Sequence, residues 1–289
     1  MKKAFLYIII AGVLWGTSGL FVHFLSPLGF SSMQMTAMRG GVSAIVMTIY
    51  VLLKDRSFFR ISLRELILFI CSGLSVFGTA FFYFSAIQAS NVSTAVVLMY
   101  TAPIFVMLFS VAFFGEKMTL SKGIAVGLMF VGCALVSGVV GGLAFSMKGF
   151  VLGMLSGICY SSYNIFTKIE MRSGASSMSA TMYSFVAMGT AAVLCCRPAE
   201  LVSCAAQHPE KSIPLILGIG VITCVLPYFF YTLALKALPA GTASALSIVE
   251  PLSATVFSMI FLNERISLPS ACGMILILTA IVLLSKNKE

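Results

Sequence analysis

The stretch TASALSIVEPLSATVFSMIFLNE, residues 242–264, indicates the fold class of this chain. It is apolar and has about the 20 residues that a helix needs to cross a bilayer. One acid, Glu250, and one proline, Pro251, lie side by side near its middle. A carboxylate at membrane depth costs at least a few kcal/mol unless it is paired, protonated or hydrated. Because the proline also removes one helical hydrogen bond, the stretch predicts a transmembrane helix that is interrupted beside a buried acid.

The same pattern occurs earlier in the chain, at residues 94–116. When the stretch is moved back by 148 positions, eight residues are identical, at Thr94, Ala95, Leu98, Pro103, Phe109, Ser110, Phe113 and Glu116. At a shift of 145, Gly12 and Met33 also match Gly157 and Met178. These identities indicate an internal repeat, with one copy in residues 1–140 and the other in residues 141–289. The copies differ at Glu250, which corresponds to Ala102, so only one half carries the buried acid.

Apolar segments of 18–23 residues fill most of the chain, and each has the length of a membrane helix. They are residues 4–25, 33–53, 66–87, 92–114, 120–140, 149–168, 178–196, 213–235, 241–262 and 268–285. The predicted fold is therefore all-α, a polytopic membrane protein of ten transmembrane helices. Because five spans is an odd number, the two five-helix repeats are expected to be inverted relative to each other. Inverted repeats are typical of secondary transporters, whose site lies near the midplane between the repeats.

Composition excludes a soluble domain, because only 9% of the residues are charged and soluble domains have about 25%. The net charge of +9 comes mainly from loops on one side of the predicted topology. Since basic loops remain in the cytoplasm, both termini are predicted to be cytoplasmic, and no nucleic-acid partner is expected. The basic segment 54–64 is predicted to lie at the lipid headgroups, and residues 199–207 to form a short interfacial helix.

Two charged residues inside predicted spans are candidate ligands for a solute. Glu250 either lines a central cavity and binds a cationic group or a proton, or is a structural acid at the break made by Pro251. Arg39 either binds a substrate carboxylate, pairs with Glu250, or extends its long side chain to the outer headgroups. Pro103 and Pro251 mark equivalent helix breaks in the two repeats.

Aromatic and polar residues in the same membrane layers could form the walls of a cavity for a solute the size of an amino acid. The set is Trp15, His23, Tyr83, Gln88, Tyr100, Tyr160, Tyr163, Asn164, Tyr183, Tyr228 and Tyr231. The binding residues selected from it are Trp15, Tyr83, Tyr100, Tyr160 and Asn164. The alternative for each is an interfacial aromatic belt or ordinary packing.

Other residues indicate structural roles. Glu116 and Glu264 lie at helix ends on opposite sides of the membrane and are interpreted as symmetric caps or gates. Glycines four apart predict close helix packing. They are Gly12 and Gly16, Gly123 and Gly127, and Gly149, Gly153 and Gly157.

Two segments resemble a known family: TAPIFVMLFSVAFFGEKMT at 101–119 and VEPLSATVFSMIFLNERIS at 249–267. Both are similar to the EamA domains of the drug/metabolite transporter superfamily, and Trp15-Gly16 resembles the opening of such a domain. The resemblance covers essentially the whole chain. It implies a carrier of the bacterial inner or plasma membrane for amino acids or other small metabolites, often an exporter. Export driven by protons is expected from this resemblance.

The sequence offers no support for an enzyme. An intramembrane aspartyl protease needs two membrane aspartates, and the one aspartate here is Asp55, in a loop. There is no HExxH, GxSxG or P-loop motif, so no catalytic residue, metal or cofactor is expected. The predicted function is a transporter that moves a small metabolite across the bilayer by alternating access. A membrane sensor or receptor with the same fold, or a lipid-type carrier, remain open alternatives.

Overall fold

The computed structural model describes residues 2–102, 104–106, 108–109, 119–136, 146–235 and 249–286. Within these ranges every regular element is helical and no strand occurs. In chain order the α-helices are α1 (Lys2–Gly16), α2 (Ser18–Leu25), α3 (Ser32–Lys54), α4 (Leu63–Ala89), α5 (Val92–Met99), α6 (Leu120–Val136), α7 (Met147–Arg172), α8 (Ser177–Cys195), α9 (Pro198–Gln207), α10 (Pro209–Gly220), α11 (Leu226–Leu235), α12 (Val249–Leu262) and α13 (Leu268–Lys286). Short 3₁₀ turns follow α2 and α3, and one π-helical turn joins α10 to α11.

Five helical segments of the described chain are long and apolar enough to cross a membrane. They are Lys3–Leu28, Ser32–Lys54, Leu63–Ala89, Ser177–Cys195 and Pro209–Tyr231. Large apolar side chains cover their outer surfaces and those of the shorter helices; Phe130 and Leu194, for example, are 76% and 79% exposed. Such surfaces are expected to face lipid. The protein is therefore a multi-pass membrane protein, and these five predicted spans are confirmed to within a few residues.

Side-chain caps explain where several helices begin. Ser31 and Gln34 form a capping box at the start of α3, with Ser31 N donating to Gln34 Oε1 at 2.8 Å. A second capping box, of Ser62 and Glu65, starts α4. Between them, the Asp55 carboxylate accepts a hydrogen bond of 2.8 Å from the backbone N–H of Ser57, which lowers the pKa of Asp55. These polar caps set the ends of apolar helices whose interiors carry few polar groups.

Close glycine contacts set the helix crossings. A Cβ atom on Gly40 of α3 would lie 2.8 Å from Gly189 Cα on α8. A Cβ atom on Gly273 of α13 would lie 2.6 Å from the carbonyl oxygen of Gly132 on α6. The facing atoms belong to the backbone, which cannot rotate away. Each crossing therefore requires a residue without a side chain.

Glycine spacing predicted close packing correctly in two helices, α1 and α7. Gly12, Gly16, Gly153 and Gly157 meet a neighbouring helix, and Gly149 meets Ser90, directly after the end of α4. A Cβ atom on Gly123 or Gly127 would meet no described residue within 4 Å, so the packing of this pair stays a prediction. A spacing of four residues puts two glycines on one face, but it does not determine whether that face meets another helix.

The short helix predicted at residues 199–207 is confirmed as α9 (Pro198–Gln207). One side of α9 packs on the bundle through Leu201 and Cys204. The Cys204 thiol donates a hydrogen bond of 3.0 Å to the carbonyl oxygen of Leu28, in the turn after α2. The helix therefore lies across the ends of α2 and α3, while most of its other residues are exposed.

Candidate solute-binding site

The two halves of the chain meet at a hydrogen bond between Tyr100 and Glu250. Tyr100 Oη donates to Glu250 Oε2 at 2.6 Å, across 150 positions of sequence. Tyr100 is only 6% exposed, whereas Glu250 is partly buried. A short bond from a hydroxyl to a carboxylate is among the stronger hydrogen bonds in proteins. It gives the partly buried acid a partner and fixes its position between α5 and α12.

Local backbone structure places these two side chains. Helix α5 ends at Met99, and Tyr100 and Thr101 form a turn before the chain becomes helical again at Ala102. Glu250 lies in the first turn of the described part of α12. The predicted break at Pro103 lies outside the described residues. Pro251 is buried directly beside the acid.

Two glycines of α1 bring its backbone against Glu250. A Cβ atom on Gly12 would lie 2.9 Å from Val249 Cβ and 3.2 Å from Glu250 N. A Cβ atom on Gly16 would lie 2.7 Å from Ser253 Cβ and 3.2 Å from the Glu250 carbonyl oxygen. Small residues that let helices approach closely are typical of membrane helix interfaces. The acid therefore sits where α1, α5 and α12 converge.

Aromatic rings surround this point. The Tyr160 ring lies 6.3 Å from the Tyr100 ring and stacks on Tyr163, also at 6.3 Å. Tyr160 is also close enough to Glu250 and to Tyr231 to interact electrostatically with both. On the other side, Trp15 packs edge-on against Tyr228 at 5.4 Å and lies 5.7 Å from Tyr231. Such rings can bind apolar groups and, through their faces, cations.

Arg39 lies close to this site but is not paired with Glu250. Its charge acts electrostatically on both Glu250 and Tyr83, yet in the described structure the two charged side chains form no ion pair within 4 Å. Instead Arg39 Nη2 donates to the carbonyl oxygen of Thr223 at 3.1 Å. The guanidinium also lies 5.7 Å from the centre of the Phe84 ring. Arg39 Nε is buried and has no hydrogen-bond partner in the part of the chain described, so the guanidinium retains a free donor.

The carbonyl that Arg39 binds belongs to a π-helical turn, Val221–Val225, between α10 and α11. Such a turn shifts the backbone hydrogen-bond register and is frequent at functional sites. Ser43, one turn after Arg39 on α3, hydrogen-bonds to the Gly220 carbonyl oxygen at 3.2 Å. Side chains of α3 thus satisfy one carbonyl within the irregular turn and one directly before it.

The two remaining predicted residues have different surroundings. Tyr83 is 4% exposed, close to Arg39 and Glu250, and its ring centre lies 5.8 Å from that of Phe84. Asn164 is exposed, and its Nδ2 donates to the carbonyl oxygen of Tyr160 at 2.8 Å, within α7. Tyr83, Tyr100, Tyr160, Arg39 and Glu250 therefore lie close to one another, and Trp15 is linked to them through Tyr231. Asn164 makes no described contact with the acid, and its role stays a prediction.

Comparison with known proteins places the chain in a family. The sequence matches the EamA-like transporter family twice, over residues 2–138 and over residues 147–286. The chain belongs to the EamA-like transporter family. Members of this family of the drug/metabolite transporter superfamily are membrane transporters, so the predicted family is confirmed.

Several relatives of this EamA-like transporter are similar over most of its length. An uncharacterized transporter of Archaeoglobus fulgidus is 27% identical over 213 residues, 73% of this chain and 74% of that protein. The threonine/homoserine exporter RhtA of Escherichia coli strain K12 is 29% identical over 209 residues, which span 68% of this chain but only 63% of the exporter. The uncharacterized transporter YwfM of Bacillus subtilis strain 168 is 21% identical over 281 residues, 97% of this chain and 93% of that protein.

A solved crystal structure shares the fold of this EamA-like transporter. It has a TM-score of 0.63 and 18% sequence identity, and the match covers 98% of this chain and 96% of that one. At this identity the likeness concerns the fold alone.

Glu264, interpreted from sequence as a cap or gate, has the geometry of a cap. Its Oε1 accepts a hydrogen bond from Val92 N at 2.9 Å, and its Oε2 accepts bonds from Ser93 N at 3.3 Å and Ser93 Oγ at 2.9 Å. A carboxylate at a helix N-terminus accepts hydrogen bonds from the free N–H groups, and its negative charge interacts favourably with the helix dipole. Glu264 thus joins the chain after α12 to the start of α5. Its counterpart Glu116 lies outside the described residues.

We expect Glu264→Gln to lower the free energy of unfolding by about 1 kcal/mol, the usual cost of losing a charged helix cap. The amide keeps one oxygen acceptor but loses the charge and one of the two acceptor positions. Thermal unfolding in detergent would measure the change. Glu210→Gln, an exposed acid in the first turn of α10 that accepts no described backbone hydrogen bond, is the comparison and should lower the unfolding temperature by less. Equal unfolding temperatures for both variants would contradict the capping role.

Sequence reasoning missed one buried acid. Glu170, near the end of α7, is only 1% exposed and accepts a hydrogen bond from Ser72 of α4. In the sequence Glu170 lies between Lys168 and Arg172. Such a group of charged residues is typical of the polar segment that follows a transmembrane helix. The burial of Glu170 follows from the length of α7, which continues beyond the predicted end of the span at residue 168.

Proposed function

We propose that this protein is a secondary active transporter that exports an amino-acid-like solute through alternating access. The observation that carries the proposal is the hydrogen bond between Tyr100 and Glu250, which joins the two halves inside a ring of aromatic side chains. A carboxylate held at a break in a membrane helix has the location expected for a solute or proton site.

We further propose ten transmembrane helices in two inverted repeats, at residues 1–140 and 141–289. Helix contacts that occur in equivalent pairs support this: α1 packs on α12 as α7 packs on α5, and α1 packs on α11 as α7 packs on α4. The glycine contacts correspond as well, since Gly12 lies against Val249 and Gly157 lies against Thr101. Gly12 and Gly157 are 145 positions apart, and Thr101 and Val249 are 148 apart, which are the two shifts of the repeat.

The proposed orientation places both termini in the cytoplasm, with the protein in the inner or plasma membrane. The basic segment 54–64, which joins α3 to α4, then lies on the cytoplasmic side, as the distribution of Lys and Arg in membrane proteins requires. The solute site lies near the midplane, between the two repeats.

The groups around the site match the chemistry of an amino acid. The ammonium group of the solute would bind Glu250 and the faces of neighbouring rings such as Tyr160, which lies 6.3 Å from the Tyr100 ring. The solute carboxylate would bind Arg39, whose Nε has no partner in the described structure. The relative RhtA is a threonine/homoserine exporter, which favours solutes of this class. Protons would drive export by competing with the solute for the Glu250 carboxylate.

Flux into proteoliposomes tests the proposal. The purified protein would be reconstituted and given radiolabelled amino acids one at a time, including threonine and homoserine, with and without a pH gradient. We expect at least one amino acid to move faster than in protein-free liposomes, and the gradient to accelerate it. If no amino acid moves above the protein-free rate, the proposed substrate class is wrong. If the flux does not depend on the pH gradient, the proposal of proton coupling is wrong.

A further inference from the structure

A polar stripe runs along α7 from the solute site towards one end of the bundle. Tyr160, Tyr163, Thr167 and Glu170 are spaced by three, four and three residues, which places them on one face of a helix. At a rise of 1.5 Å per residue, Glu170 lies about 15 Å beyond Tyr160 along the helix axis. Tyr163 is close enough to Glu170 to interact with it electrostatically. The stripe therefore begins beside the ring of Tyr100 and ends at a second buried acid.

Glu170 has one side-chain hydrogen-bond partner in the described structure, the hydroxyl of Ser72. Among the described side chains, no Lys, Arg or His nitrogen lies within 4 Å of its carboxyl group. Phe69, one turn before Ser72 on α4, is fully buried. An ionised carboxylate in such surroundings costs several kcal/mol because one neutral hydroxyl replaces its hydration shell. A protonated carboxyl avoids this cost and can share its proton with Ser72 Oγ.

Among the described side chains, the titratable and charged groups on the elements packed around Glu170 do not offset a negative charge there. They are Cys71 on α4, Tyr163 and Arg172 on α7, Tyr183 on α8, and the exposed Arg60 and Arg64 of the 54–64 segment; the side chain of Lys168 lies outside the described part of the chain. Arg172 is exposed to solvent, and the Tyr183 hydroxyl bonds to the carbonyl oxygen of Phe59 at 3.2 Å. Within the described structure, the carboxyl group therefore depends on a proton for neutrality.

Thr167 provides the step between the tyrosines and the acid. Its Oγ1 is buried and lies near the Tyr163 hydroxyl, but it forms no hydrogen bond of good geometry to the part of the chain described. A buried hydroxyl without a protein partner is a position where a water molecule can bind. A hydroxyl and a water between Tyr163 and Glu170 would be a path for protons.

We propose that Glu170 is a second proton-binding site, connected to the Glu250 site by the stripe on α7. The carboxylate takes up one proton from water to form the neutral acid that bonds to Ser72. When it releases that proton, an uncompensated charge is left between α4 and α7, which favours their separation at the end next to the 54–64 loop. The role in transport rests on the proposed proton-coupled export, whereas the presence of the proton does not.

Infrared spectroscopy of the full-length protein in lipid films at neutral pH tests for the proton directly. The chain has only nine acidic side chains, and exposed acids are ionised at this pH. We expect the wild type to show a carboxylic-acid C=O band that Glu170→Gln removes and that Ser72→Ala shifts to higher frequency, because it loses a hydrogen bond. The exposed Glu200→Gln is the control and should leave the band unchanged. A spectrum in which neither variant changes the carboxylic-acid region would overturn the proposal.

Flux separates this proposal from the proposed function. In proteoliposomes that transport an amino acid, Glu170→Gln should keep solute binding but lose the dependence of flux on pH. An unchanged pH dependence would overturn the role of Glu170 in transport. Absence of flux in the wild type would count against the transporter proposal instead, while the infrared band would still decide whether Glu170 holds a proton.

Discussion

Glu250→Gln is expected to weaken binding of the transported solute about thirtyfold, equivalent to about 2 kcal/mol for a hydrogen bond to a charged group. The amide retains the size of the side chain and can still bond to Tyr100, so the variant should fold. It cannot bind a proton or attract an ammonium group. Solute-dependent shifts in thermal unfolding would measure binding, and counterflow in proteoliposomes would measure transport. Proton-driven flux should be lost.

Two variants make this experiment specific. Tyr100→Phe removes only the hydroxyl that donates to Glu250 at 2.6 Å, so it should weaken binding by less than Glu250→Gln does. Glu200→Gln also removes one negative charge, but from an exposed pair with Arg197, and should behave as wild type. If Glu250→Gln retains full proton-driven flux, Glu250 is a structural acid, the alternative considered from the sequence.

Gly40→Ala is expected to destabilise the fold by about 1–3 kcal/mol, the range found when a packed core is overfilled. The added methyl group would lie 2.8 Å from Gly189 Cα and 2.9 Å from Gly189 N. Because both atoms belong to backbone, α3 and α8 would have to separate. Thermal unfolding followed by the fluorescence of Trp15, the one tryptophan, would measure the loss. Gly189→Ala meets the backbone of Gly40 at 2.9 Å and should have a similar effect.

Gly41, the next residue along α3, provides a control in which the same substitution is not expected to lower stability. A Cβ atom on Gly41 meets nothing within 4 Å in the described structure, and alanine favours a helix over glycine by about 1 kcal/mol. Gly41→Ala should therefore leave stability unchanged or raise it. Equal losses in Gly40→Ala and Gly41→Ala would show that the crossing of α3 and α8 is not what limits stability.

Much of the fold follows from the sequence because membrane helices have simple requirements. Length and hydrophobicity were sufficient to predict five spans that the structure describes, from Lys3–Leu28 to Pro209–Tyr231. Burial of charge in an apolar segment was sufficient to select Glu250 and Arg39. Both properties are local, so each could be predicted from the sequence of a single segment.

Properties that depend on two segments could not be predicted in the same way. Nothing in the sequence around Tyr100 indicates that its hydroxyl reaches Glu250, because the contact depends on how α5 and α12 pack. The π-helical turn at Val221–Val225 contains neither proline nor glycine, and the Arg39 side chain that bonds to it comes from α3. Gly123 and Gly127 have the spacing of a packed pair and no partner within 4 Å in the described structure.

The structure with solute bound is the most direct test of the site. A cryo-EM map of the protein in lipid nanodiscs, with the amino acid that gives the highest flux, should show density between Glu250 and Arg39, against the rings of Tyr100 and Trp15. The same preparation of Glu250→Gln should lack that density. Solute density away from Glu250, or equal density in the variant, would contradict the assignment of the site.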